Sequence, residues 1–116
     1  MLPKQHRLSR ADEFRRVVKT GRRRVGATVM THVTVTDEGA PARFGFIVSK
    51  AVGGAVTRNL VKRRLRAIAA EDIRVGFTGA DVVVRAMPGA DTAAYEQLRA
   101  DLACQLGLAP SERMTA

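Results

Sequence analysis

In the stretch TRNLVKRRLRAI, residues 57–68, Arg58, Asn59, Lys62, Arg63 and Arg66 recur at helical spacing. At about 100° per residue they fall within an arc of roughly 140°. Leu60, Val61, Leu65, Ile68 and Ala69 take most of the opposite side. One face can bury while the other presents a cationic ridge about two turns long, and the partner that such a ridge suits is a run of phosphates. Asn59 is a poorer helix former than the Lys or Gln of an ordinary solvated face, but it brings a donor and an acceptor on a short stem. It suits sugar and phosphate geometry, and it equally suits a cap on the first turn. Arg64 projects near the edge of the aliphatic side and is expected to snorkel to water. Ahead of the helix, Gly53 and Gly54 could leave backbone N–H groups free for an anion, although a double glycine also marks an ordinary tight turn.

The charge around this ridge is uneven. Residues 1–38 hold nine Lys/Arg and four acids, residues 39–70 hold seven and none, and residues 71–116 hold four and seven, which gives +5, +7 and −3 and sums to +9. A net charge serving only solubility would be spread along the chain, so the acid-free middle implies a surface kept clear of internal ion-pair partners.

Other chemistries find little support. One cysteine, Cys104, excludes an intramolecular disulfide, and with only His6 and His32 beside it a structural zinc site is not expected. Hydrolysis by this chain would need carboxylates gathered around a metal, or a His with a partner. Asp12 and Glu13 read better as helix-start residues, Asp81 as a strand-edge residue, and Ser49 has no visible base. No catalytic residue and no protein metal site are assigned. Cys104, between Leu102 and Leu106, reads as an inert core thiol. No apolar run approaches the ~20 residues of a membrane span, the start MLPKQHRLSR lacks the core of a signal peptide, and the cationic helix lacks the Trp or Phe anchors of a membrane-surface helix.

These residues must be positioned by a small framework. A length of 116 residues with 46% hydrophobic residues suits one globular domain. SRADEFRRVVKTG predicts a helix capped by Ser9, with Phe14, Val17 and Val18 as its apolar stripe and Gly21 as its stop. TVMTHVTVTD, rich in β-branched residues, predicts a strand. RFGFIVSK predicts a second, with Phe44, Phe46 and Val48 on one face and Arg43, Gly45, Ile47 and Ser49 on the other, antiparallel to the first if the short link is a hairpin. The cationic helix covers about 56–73, a third strand 80–87, and a final helix 92–107 turns Tyr95, Leu98, Leu102 and Leu106 inward. The tail LAPSERMTA reads as frayed. The class is α+β, a single small domain over 1–116 with an ordered core of about 7–108, in α-β-β-α-β-α order with a mixed sheet packed by helices.

The segment SKAVGGAVTRNLVKRRLRA, 49–67, closely resembles the arginine-rich signature of the bacterial ribonuclease P protein component. LPKQHRLSRADEFRRVVKTGRR resembles that family's opening, and the likeness extends to DVVVRAMPGA with its following helix, so it spans nearly the whole ordered chain. The resemblance implies that Lys50, Arg58, Asn59, Lys62, Arg63 and Arg66 lie against RNA, and that Phe14, His32 and Phe46 belong to a cleft for the single-stranded 5′ leader of precursor tRNA. Stacking of unpaired bases on such rings beside cations is sound chemistry. It further implies a parallel strand pair joined by the arginine-rich helix in a left-handed crossover, and a fourth short strand for which the letters offer no clear signal. Departures from the family pattern stand at Ala51, Gly54, Leu60, Val18, His32 and Met87.

By the same resemblance the protein assists a catalytic RNA subunit, its partner along with precursor tRNA, and hydrolysis proceeds on that RNA with Mg²⁺ bound chiefly by the RNA. The protein alone is expected to be a monomer, cytoplasmic and away from membranes. Composition and helix pattern equally fit a non-enzymatic RNA-binding protein of ribosomal or assembly type, which only the family signature sets apart.

Overall fold

The structure, a computed structural model, describes residues 2–108. A 3-10 turn, Lys4–His6, leads into α1 (Ala11–Thr20), β1 (Arg22–Val25), β2 (Val29–Val35), β3 (Arg43–Ile47), α2 (Ala55–Arg74), β4 (Ala80–Ala86) and α3 (Tyr95–Gln105). The start of α1 differs from the sequence expectation. Arg10, not Ser9, takes the N-cap position, and the Glu13 carboxylate accepts the Ser9 and Arg10 N–H groups at 3.2 and 3.3 Å. An acceptor reaching back from the third helical position satisfies the orphan donors as well as a hydroxyl would.

The sheet has four strands in the order β1-β2-β4-β3. β2 runs antiparallel to both β1 and β4, whereas β3 runs parallel to β4. The expected hairpin between the strands at 28–37 and 43–50 is therefore absent, because β4 separates them and α2 makes the parallel connection. The fourth strand is the run Arg22–Val25, exposed along its whole length and held by its ladder to β2.

Two cores flank this sheet. Phe44, Val82 and Val84 meet Val61, Leu65 and Ile68 of α2 and Leu98 and Leu102 of α3 in the larger one, where Leu2 is also buried. On the other face, Leu8, Val17 and Val83 form a smaller core with Phe14, Val18 and Ile47 packed around it. Cys104 is exposed rather than buried, and the inward position belongs to Gln105. That amide bridges the Thr31 hydroxyl and the Val29 carbonyl. One turn earlier, Asp101 accepts the Thr28 N–H at 2.8 Å, the Thr28 hydroxyl at 2.7 Å and the Val29 N–H at 3.3 Å. Polar pairing, as much as burial of leucine, docks α3 onto β2.

Asp81 is likewise no edge residue. It sits 2% exposed in an interior strand, gripped in bidentate fashion by Arg43 at 3.0 and 2.8 Å and by Arg16 at 2.9 Å. Arg43 also reaches Glu13 at 2.8 Å. Burial alone would raise the Asp81 pKa, but the two guanidiniums outweigh it and hold the carboxyl below its ordinary range. This cluster pins α1 across the sheet. Of the tail 108–116, the residues from 109 onward lie outside the described residues.

Candidate nucleic-acid interface

With Val61, Leu65 and Ile68 fully buried, the phase of α2 is set and its opposite side faces outward. Asn59, Arg63 and Arg66 are exposed, Arg58, Lys62 and Arg64 half-buried, and Lys50 is exposed in the turn after β3. None of these cations is ion-paired among the described residues, where only Arg10, Arg16, Arg43 and Arg99 of the Lys and Arg side chains have carboxylate partners. The physical reason is the acid-free stretch 39–70: the nearest turns carry nothing to neutralise them. Arg58 even holds a buried Nε with no hydrogen-bond partner.

Beside this ridge runs a shallow groove at the outer edge of β3. The N-terminal segment closes one end of it, since Arg7 bridges in parallel to Phe44 and the Leu8 N–H donates to the Phe44 carbonyl at 2.9 Å. Beyond that point Phe14 overhangs from α1, Phe46 flanks from β3, and Lys62 and Arg66 descend from α2 around about 120 Å³ of space.

Gly45 makes the overhang possible. A methyl built there would stand 2.5 Å from Cε2 of Phe14, so the missing side chain is the space that the ring occupies. Phe46 is backed by Phe44, with ring centroids 6.2 Å apart and planes 9° from parallel, and Phe44 in turn meets Phe77 at 5.8 Å. One aromatic overhangs and the other is braced, which leaves polarizable surface next to two unneutralised cations.

His32 stands elsewhere. It is 6% exposed on β2, shares the α1-side face with Gly45 through the register His32–Val83–Gly45, and does not line the groove. Its Nδ1 has no partner. Burial, with Arg85 and Arg23 nearby, lowers its pKa and keeps the imidazole neutral at pH 7. Arg7, Leu8 and Arg85 are the residues that reading the sequence missed. The first two come from a segment with no periodic signal, and Arg85 sits in a strand that is apolar apart from it and Asp81. Among the described residues no three or more His, Cys, Asp or Glu side chains are placed to hold a metal ion.

Residues 2–109 match the family described as Ribonuclease P. A ribonuclease P protein component from Kocuria rhizophila is 48% identical over 101 residues, covering 87% of this chain and 88% of the relative. One from Beutenbergia cavernae is 47% identical, with 88% and 86% covered. Among solved structures, the Staphylococcus aureus RNase P protein superposes with a TM-score of 0.78 at 26% identity, covering 91% of this chain and 96% of that one. The Thermotoga maritima RNase P protein gives 0.76 at 23% identity, with 86% and 94% covered, and speaks to the fold alone.

Proposed function

The chain belongs to the ribonuclease P protein family, the protein component of a tRNA-processing endoribonuclease, and from that premise we propose that it holds a catalytic RNA subunit with the α2 ridge and the 5′ leader of precursor tRNA in the β3-edge groove. One observation carries this reading: unpaired cations on α2 share a groove with Phe14 and Phe46. Cations that lack internal partners gain most from phosphate, because no ion pair must be broken first and each contact releases counterions. The overhanging ring offers a base a stacking surface whatever its sequence, which suits a subunit that meets many different leaders.

In this reading the chain cuts nothing. Mg²⁺ held by the RNA subunit supplies the activation of water and the stabilisation of the leaving oxygen. The protein's residues screen phosphates where two RNAs crowd together, and Lys50, Arg58, Asn59, Lys62, Arg63 and Arg66 fix the backbone whose geometry the metal ions need. The work belongs to the cytoplasm, where tRNA is made.

Adding the purified protein to a ribonuclease P RNA tests the reading by precursor-tRNA cleavage at low Mg²⁺. The expected result is strong stimulation that fades as Mg²⁺ rises. Tight RNA binding with no stimulation would transfer the protein to the class of RNA-binding proteins without a part in cleavage.

A further inference from the structure

The helix that carries Phe14 has little apolar grip on the sheet. Val17 is its only buried residue, and Phe14 and Val18 are partly covered. What ties α1 down is a closed circuit of four charged side chains. Glu13 Oε2 accepts from Arg43 of β3 at 2.8 Å, Arg43 grips Asp81 of β4 at 3.0 and 2.8 Å, and Asp81 Oδ2 accepts from Arg16 of α1 at 2.9 Å. The path leaves α1 one residue before Phe14 and returns two residues after it. Arg43 also lies two residues from Gly45 on the same face of β3, beside the place where the ring rests.

Two carboxylates and two guanidiniums cancel, so the circuit offers little to a phosphate. Its acids withhold Arg16 and Arg43 from RNA, in contrast to the unpaired cations of α2. Stability is not a sufficient reason for it, because buried ion pairs are often no better than apolar side chains of similar volume. What leucines could not supply is direction: an arginine fork fixes the angle of its carboxylate as well as the distance. Glu13 joins that geometry to the helix start, since Oε1 accepts the Ser9 and Arg10 N–H groups while Oε2 faces Arg43. A ring seated on the bare backbone of Gly45 has no side chain beneath to locate it, so its place follows the place of α1.

We infer that Asp81, through Arg43 and Glu13 on one side and Arg16 on the other, is a positioning residue for leader recognition, setting where Phe14 overhangs the groove while touching no RNA itself. This rests on the leader reading above. It adds that discrimination between precursor and mature tRNA depends on a neutral charge cluster none of whose members lines the groove.

Asp81→Asn leaves Arg43 and Arg16 without their shared counter-charge and endangers the fold, so the test cuts the two links from α1 instead, with Glu13→Gln and Arg16→Gln together. The Arg43–Asp81 pair then stays inside the sheet, and a Gln at the third helical position still accepts from the helix start. One acid and one base are lost together, so the net charge remains +9. In reconstituted holoenzyme, affinity for precursor tRNA should fall about fivefold or more, the lower end of what one stacked base contributes, with mature-tRNA binding and the salt slope unchanged. In a Phe14→Ala background the same pair should add no further loss, because both changes act on one contact. Glu13→Gln with Arg16→Lys, which keeps an ion pair to Asp81, should recover much of the precursor preference. A wild-type preference in the Gln pair would overturn the inference. So would a loss that adds fully to that of Phe14→Ala, equal losses on precursor and mature tRNA, or a flattened salt slope, which would make Arg16 a phosphate contact. If Phe14→Ala itself leaves the preference intact, the groove reading is what fails. The ring proton shifts of Phe14 in the Gln pair then still decide whether the circuit holds the ring, and an unmoved ring would overturn the positioning as well.

Discussion

Replacing Gly45 by alanine moves one aromatic ring and touches no charge of the interface. The new methyl would stand 2.5 Å from Cε2 and 3.1 Å from Cε1 of Phe14, whereas carbon atoms pack comfortably only at about 3.5–4.0 Å. The ring must retreat by about 1 Å, and it can, being the far end of a half-buried side chain. Gly45 does not have a positive φ, so alanine fits the backbone, and removing a glycine from a strand offsets about 0.5–1 kcal/mol of any packing loss. Stability should barely change while the stacking surface leaves the groove. A base stacked on one aromatic contributes about 1–3 kcal/mol, so affinity for precursor tRNA should fall about 5- to 150-fold with affinity for mature tRNA unchanged. Equilibrium binding of both RNAs to reconstituted holoenzyme reads this, with thermal melting as the folding control and ring proton shifts reporting the displacement. A displaced ring with an unchanged precursor-to-mature ratio would refute the reasoning that Phe14 contacts the leader.

The remaining expectations concern charge and burial. Arg58→Ala with Arg63→Ala should weaken RNA-subunit binding and flatten its salt dependence by about two units; a salt titration checks this, and a wild-type slope would remove both residues from the phosphate contacts. Asp72 is buried with Oδ2 unpartnered, and burial followed by the nearby Glu71 raises its pKa to about 6 from 3.8 although Arg99 opposes this. Its charged form therefore weakens the fold above pH 6, and the penalty disappears as the pH falls through 6 toward 3.8. Asp72→Asn should stabilise by about 2 kcal/mol at pH 8 and lose that advantage near pH 4, as read by urea unfolding across that range; a gap independent of pH would refute the assignment. Asp101→Ala strands the Thr28 and Val29 donors and should cost about 2–4 kcal/mol, seen as a lowered Tm, whereas an unaltered Tm would mean that α3 docks by its leucines alone.

How far the letters could be read depends on how local each feature is. The two faces of α2 follow from spacing within a single element, so Val61, Leu65 and Ile68 fell inward and Asn59, Arg63 and Arg66 outward as the period requires. Strand pairing is not local. The short link from Val35 to Arg43 suggested a hairpin, yet β4, from more than thirty residues further on, lies between the two strands because Val82 and Val84 on one side and Val83 on the other are fully buried and must be covered on both. β1 was invisible because three arginines show no alternation, and its ladder to β2 holds it instead. Gln105 displaced Cys104 from the interior because the carbonyl of Val29 and the hydroxyl of Thr31 needed partners, a demand that only the assembled fold reveals. Of the residues assigned to the cleft, Phe14 and Phe46 line one groove and His32 stands two strands away. Period-two reasoning could put Gly45 and Phe46 on opposite faces but could not show that a groove wraps the strand between them.

Because one of the sheet's two interior strands, β4, is its last in sequence, the order of synthesis opposes the order of assembly. The β1–β2 ladder and the coil of α2 can arise as the ribosome delivers them, but Phe44 has no neighbour on its inner edge until Val82 has left the exit tunnel. A chain stalled before that point carries α2 with its aliphatic face bare and its cations already displayed. Truncated products of this protein should therefore cling to RNA and to chaperones while remaining unfolded, and expression trials should judge any shortened version by folding rather than by nucleic-acid retention.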